Sequence, residues 1–164
     1  MTMESLIKVD HAAIKTNQLV IISLGILAFV INLPALAASV ATILGIGTVL
    51  KSPGFGFVYQ FLLKPRGWMK PDILDDHPEP HRFSQFMGFL FLTAGSVSLF
   101  LGGAVLGWSL VWVVIALASL NAFGGFCTGC AIYYWLARFK VPGFNKFPQR
   151  GLVPGMKSKG GTPA

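Results

Sequence analysis

Uncharged, mostly apolar sequence fills two long stretches of the chain, positions 16–50 and 83–137, and every Asp, Glu, Lys and Arg lies outside them. Apolar runs longer than about 18 residues read as membrane-spanning. Each run contains a break signal. In the first it is Asn32-Leu33-Pro34, because proline disfavours helix at the residue before it. In the second it is Gly102-Gly103 through Gly107, where paired glycines favour a turn. The pattern predicts an all-α integral membrane fold of about four transmembrane helices, arranged as two hairpins. The first hairpin is short. Gln18 to Asn32 makes about 22 Å of helix, against a hydrocarbon core about 30 Å thick. Bilayer thinning or oligomerisation would absorb that mismatch. A single long first crossing, kinked at Pro34, is the alternative.

The two halves resemble each other. Lys15-Thr16-Asn17-Gln18 opens the first run, and Arg82-Phe83-Ser84-Gln85 opens the second. Each run ends in a Gly-containing break and a short aromatic segment, at 58–64 and 132–138, and these two segments align without gaps. The pattern suggests an internal duplication over 15–64 and 82–138, each unit closing with a short interfacial helix where Tyr and Trp meet the headgroups. Between the halves, 64–82 carries Pro65, Pro71, Pro78 and Pro80 and shows neither strand alternation nor helical periodicity. It reads as a rigid polar loop. Residues 1–140 are therefore expected to form one membrane domain, and 141–164 a basic, flexible C-terminal tail over anionic lipid.

Composition agrees with this organisation. The chain is 54% hydrophobic and 12% charged, a balance unsuited to a small soluble domain. Its net charge of +7 invites nucleic acid as a partner, but the basic residues flank apolar spans and so act as a topology signal. If each run is a hairpin, all 13 Lys and Arg fall on one side. The positive-inside rule then places the N-terminus, the central loop and the C-terminus in the cytoplasm. A rival reading of the N-terminus is a cleavable signal peptide. Lys8 and Lys15 precede an apolar core, and Ala35-Leu36-Ala37 resembles a cleavage site, but apolar sequence continues to Leu50. The spans hold no charge, which argues against a pump or ion-coupled transporter. Among the embedded polar residues, such as Ser96, Ser119 and Asn121, Asn121 is the most costly to bury.

Candidate chemistry centres on Cys127-Thr128-Gly129-Cys130, which holds the only two cysteines of the chain. Such a pair can close a disulfide, ligate a metal with help, or merely pack. The next helix is expected to start near Cys127, where free N–H groups lower a thiol's pKa and favour attack by its thiolate. Cys130 would then resolve the mixed disulfide. Thr128 and Gly129 leave the site small and open on this reading, so that a partner's backbone could approach closely. A metal needs about four ligands, so Cys127 and Cys130 would suffice only in a homodimer, unless His11, His77 or His81 assisted. His77 and His81 would share a helix face, but Pro78 and Pro80 argue against a helix there.

Three landmarks occur together: Val9-Asp10 before Asn17-Gln18, then 80–85 (Pro-His-Arg-Phe-Ser-Gln), then 121–130 with its closing Cys-Thr-Gly-Cys. In these the chain resembles the bacterial membrane family DUF4395, over roughly Lys8 to Phe139. The resemblance implies a small, multi-pass protein of the bacterial inner membrane with a cysteine pair. It names no activity and no cofactor, although gene context links members to thiol or sulfur metabolism. The expected function is a membrane-embedded thiol–disulfide protein that exchanges electrons at Cys127 and Cys130 with a cytoplasmic thioredoxin-like partner. The alternative is an accessory or assembly subunit of a larger membrane complex, or a homo-oligomer, in which the cysteines pack or bind metal.

Overall fold

The computed structural model describes residues 7–68, 70–144, 146–148 and 153–157. The chain begins with a short strand, β1 (Ile7–Asp10), and a long helix, α1 (His11–Val30). Asp10 caps α1 by accepting a hydrogen bond from the Ala12 N–H at 3.0 Å. A turn at 31–33 leads into α2 (Pro34–Val49), with Pro34 in its first turn. A proline is tolerated there because the first N–H groups of a helix lack partners anyway. Next come α3 (Gly56–Val58), continued by a π-helical turn (Tyr59–Leu63), and a second strand, β2 (Ile73–Asp76). Helices α4 (Pro78–Phe100) and α5 (Ala104–Gly124) follow, and α6 (Thr128–Arg138) closes the helical part.

The four longer helices pack in a ring, α1 on α2, α2 on α4, α4 on α5 and α5 back on α1. Val40, Leu44 and Val111 are fully buried at its centre. Gly95 and Gly107 let α4 and α5 approach closely: a Cβ on Gly107 would lie 2.8 Å from the Gly95 carbonyl. Gly107 therefore belongs to the packed helix, and only 101–103 make the turn.

Three helices, α1, α4 and α5, are long and apolar enough to cross a membrane. At about 1.5 Å per residue, the 16 residues of α2 reach about 24 Å, short of a hydrocarbon core of about 30 Å. Many large apolar side chains face outward, among them Phe29, Val49, Phe100, Val105 and Phe123. That surface suits a membrane protein.

The structure corrects the sequence reading of 64–82 as a rigid loop without periodicity. Part of it is β2, which pairs antiparallel with β1 in the register Ile7 to Asp76 and Asp10 to Ile73. A four-residue strand whose partner lies far away in sequence leaves no local pattern. The end of the segment is the first turn of α4. Pro78 and Pro80 sit where helix N–H groups have no intrahelical acceptor, so they start the helix instead of preventing it. Likewise α1 begins at His11, well before the uncharged run, and carries Lys15 on an exposed face. The 20 residues of α1 remove the length mismatch expected for the first crossing.

The tail also contains ordered structure. Residues 153–157 fold back on the segment before α6: Phe126 and Met156 form an antiparallel bridge. The Cys127 N–H donates to the Gly155 carbonyl at 2.7 Å, and the Lys157 N–H donates to the Gly125 carbonyl at 2.9 Å. Lys157 Nζ pairs with the Asp72 carboxylate.

Candidate functional site

Helix α5 ends in a left-handed cap at Gly125, which turns the chain sharply. The next two residues run extended, so that Cys127 becomes the N-cap of α6. The Cys130 N–H donates to the Cys127 sulfur at 3.2 Å. This is the ordinary capping hydrogen bond with sulfur in place of oxygen, and it favours negative charge on that sulfur. Cys127 and Cys130 sit at disulfide distance, with Cα atoms 5.2 Å apart. Helix α6 buries Cys130, Tyr133, Tyr134 and Ala137 at helical spacing and exposes Trp135, with Phe139 exposed just after its end.

Neither cysteine is open to solvent. Cys127 is 4% exposed and Cys130 3%. Gly129 does admit a backbone closely, but it is that of α4: an added Cβ would fall 2.7 Å from the Ser84 Cα. The residue was expected to receive a partner and instead docks α6 on the chain's own bundle.

The three histidines fall in different surroundings. His77 caps α4 from an extended conformation and shares no helix face with His81. His81 lies one turn into α4 and points at the cysteines, its Nδ1 3.5 Å from the Cys130 sulfur. Its Nε2 lies 3.0 Å from Asp76 Oδ2. An ionised Asp76 accepts from the Nε2–H, which leaves Nδ1 as an acceptor facing sulfur. His11, from the first turn of α1, brings its Nε2 within 3.2 Å of the same carboxylate oxygen. That contact is close without being an aligned hydrogen bond, since His11 Nε2 has no acceptor in hydrogen-bond geometry. The His77 backbone N–H donates to Asp76 Oδ1 at 2.8 Å. Burial raises the Asp76 pKa, but the polar contacts from His11 and His81, the charge of His81 and the His77 N–H together outweigh it. They hold the carboxyl well below its usual range. Tyr134 closes the site beside these groups. Burial, with the negative charge of Asp76, pushes its hydroxyl well above its ordinary value.

Two sets of ligand atoms are close enough to hold a metal. One is His81, Cys127 and Cys130, and the other is His11, Asp76 and His81; within each set the atoms lie within 4.8 Å of one another. Among the described residues these sets use one chain only, so the cysteines do not need a second copy to find a third ligand.

A family model described as a domain of unknown function, DUF4395, matches residues 9–138. The chain belongs to the DUF4395 family. No curated protein and no solved structure gives a match. The part of this DUF4395 protein covered by the match runs from β1 to the end of α6 and so includes every site residue named above. Sequence reasoning found Cys127 and Cys130 and noted His81, but it missed Asp76 and the role of His11. The available signal was Asp10 followed by His11 at a helix start, which places a buried imidazole in the first turn beside whatever the preceding strand pairs with.

Proposed function

We propose that this protein is a membrane-embedded thiol–disulfide protein of the bacterial inner membrane, with Cys127 and Cys130 as its redox pair and a cytoplasmic thiol protein as one electron partner. The observation that carries this reading is the arrangement around the pair. Cys127 sulfur caps α6, Cys130 stands within disulfide distance, and His81 faces the Cys130 sulfur with its far nitrogen held by Asp76. A base beside one thiol and an N–H on the other sulfur are what thiol–disulfide exchange requires. Cys127 attacks, and Cys130, deprotonated by His81, resolves. In membranes, Cys130→Ser should accumulate a mixed disulfide with a thioredoxin-like protein, while Cys127→Ser should not. If neither variant traps a partner and the wild-type thiols stay reduced under mild oxidation, the redox reading fails.

The topology proposed with it is two hairpins, with α2 crossing despite its length. Supporting this, every described Lys and Arg lies at the end of the bundle that holds the cysteines, and the turns at 31–33 and 101–103 carry no charge. Both termini are then cytoplasmic. Reporter fusions at the two termini should both report the cytoplasm, and opposite faces would rule the double hairpin out.

The observation favouring a second reading is the set of His81, Cys127 and Cys130. Two thiolates and an imidazole suit zinc, with a fourth ligand from water or a partner. In that case the protein is an accessory subunit of a larger complex. Protein purified under reducing conditions would then carry stoichiometric zinc that protects both thiols from alkylation.

A further inference from the structure

We infer that the cleft beside Cys127 binds a quinone, which enters from the lipid and takes the two electrons of the reduced Cys127–Cys130 pair. This rests on the thiol–disulfide reading above and supplies its second electron partner.

The first ground is access. With both sulfurs almost fully covered, a protein thiol meets neither without movement of the site. What does reach Cys127 is empty space. Two adjoining cavities, of about 350 and 160 Å³, share Asn17, Gln18, Ser84, Gln85, Asn121 and Cys127 in their walls. Cys130 lines neither of them, so Cys127 is the cysteine an occupant would border.

The second ground is the character of the walls. The smaller cavity is bounded by Phe91 of α4, Leu117 of α5 and Ile132 of α6, which are also 39%, 40% and 46% exposed on the outside of the bundle. An apolar doorway between candidate membrane helices admits something dissolved in lipid. The inner end is polar and has hydrogen-bonding capacity to spare. The side chains of Asn121 and Gln18 make no hydrogen bond to a described residue, and Thr128 Oγ1 is buried without a partner. Buried polar groups ordinarily find partners. An occupant with carbonyl acceptors at an apolar ring would pair with the Asn121 and Gln18 amides. Lys8, Lys51 and Arg82 outnumber the one carboxylate, Asp10, in the wall of the larger cavity and favour an occupant that becomes anionic as it is reduced. An apolar body, carbonyl acceptors and a two-electron capacity together describe a quinone. A phospholipid lacks the redox chemistry.

The reaction balances without a further reactant. The Cys127 thiolate adds to a ring carbon of the quinone, forming a C–S bond. The Cys130 sulfur, its proton passed to His81, attacks the Cys127 sulfur. The S–S bond forms as the C–S bond breaks, and that electron pair stays on the ring. Two thiols lose two electrons and two protons, and the quinone gains both as hydroquinone.

The test uses the full chain in lipid nanodiscs, reduced and freed of reductant, with decylubiquinone as probe and quinone absorbance and free thiols as readouts. One hydroquinone should form per disulfide. Leu117→Trp, which closes the doorway, should slow this at least about tenfold, and Asn121→Leu should raise the half-saturating quinone concentration about tenfold. Ile132→Trp tests the same doorway from another helix if Leu117→Trp lowers the melting temperature. If a water-soluble disulfide oxidises the wild-type pair but decylubiquinone does not, the quinone inference falls and the redox reading stands. If neither oxidises it, both fall. Quinone reduction at the wild-type rate in both doorway variants also overturns the inference.

Discussion

Asp76→Asn should lower stability at neutral pH and abolish most of the protein's sensitivity to acid. The carboxylate joins three elements: it meets His11 of α1 at 3.2 Å and His81 of α4 at 3.0 Å, and it ends β2. Its folded pKa lies far below the ordinary 3.8. A depressed carboxylate stabilises the fold at every pH above its unfolded value, and that stabilisation is lost as pH falls toward the folded one. The window therefore opens near pH 4 and extends downward. Hydrogen bonds to a charged group contribute about 1.5–3 kcal/mol, so the variant should lose about 2 kcal/mol, or roughly 4–8 °C in Tm for a chain of this size. Thermal unfolding in nanodiscs from neutral pH to about pH 2 would show a steep fall for the wild type and a flatter, lower curve for Asp76→Asn. Parallel curves would mean that Asp76 is not the group that links the histidines to the fold.

The second large effect is on rate. His81→Gln keeps a polar side chain of similar reach but removes a base from beside the Cys130 sulfur, where Nδ1 now stands at 3.5 Å. General base catalysis typically contributes about 10²–10⁴-fold, so oxidation of the reduced pair by a small soluble disulfide should slow by about 100-fold or more. A proton acceptor speeds both directions, so the fraction oxidised at equilibrium in a glutathione buffer should change little. A shifted equilibrium with an unchanged rate would mark His81 as an electrostatic neighbour only. A loss of rate matched by a large drop in Tm would mark it as structural.

Much of the helical framework could be read along the chain. The turn at 31–33 and the turn at 101–103 fall on the Asn32-Leu33-Pro34 and Gly102-Gly103 signals, and α6 starts where a helix was expected, directly after Cys127. These are consequences of neighbours in sequence: a proline acts on the preceding residue, and a glycine pair on its own turn. The misreadings came from applying a local rule without its position. Pro78 and Pro80 would break a helix interior, yet they occupy the one turn where a missing N–H costs nothing.

The sequence by itself determined the two apolar runs, the breaks within them and the one cysteine pair, because each depends on residue chemistry within a few positions. Only the tertiary structure decided what those sulfurs meet. Asp76 reaches the site because β2 pairs with β1 across the first hairpin, and His11 because Asp10 caps α1 at the end of that strand. His81 faces Cys130 because Gly129 lets α6 settle against Ser84 of α4. Apart from the local Asp10 cap, these contacts join residues far apart in the chain. They are set by packing and by the pairing of buried polar groups, which no local pattern encodes.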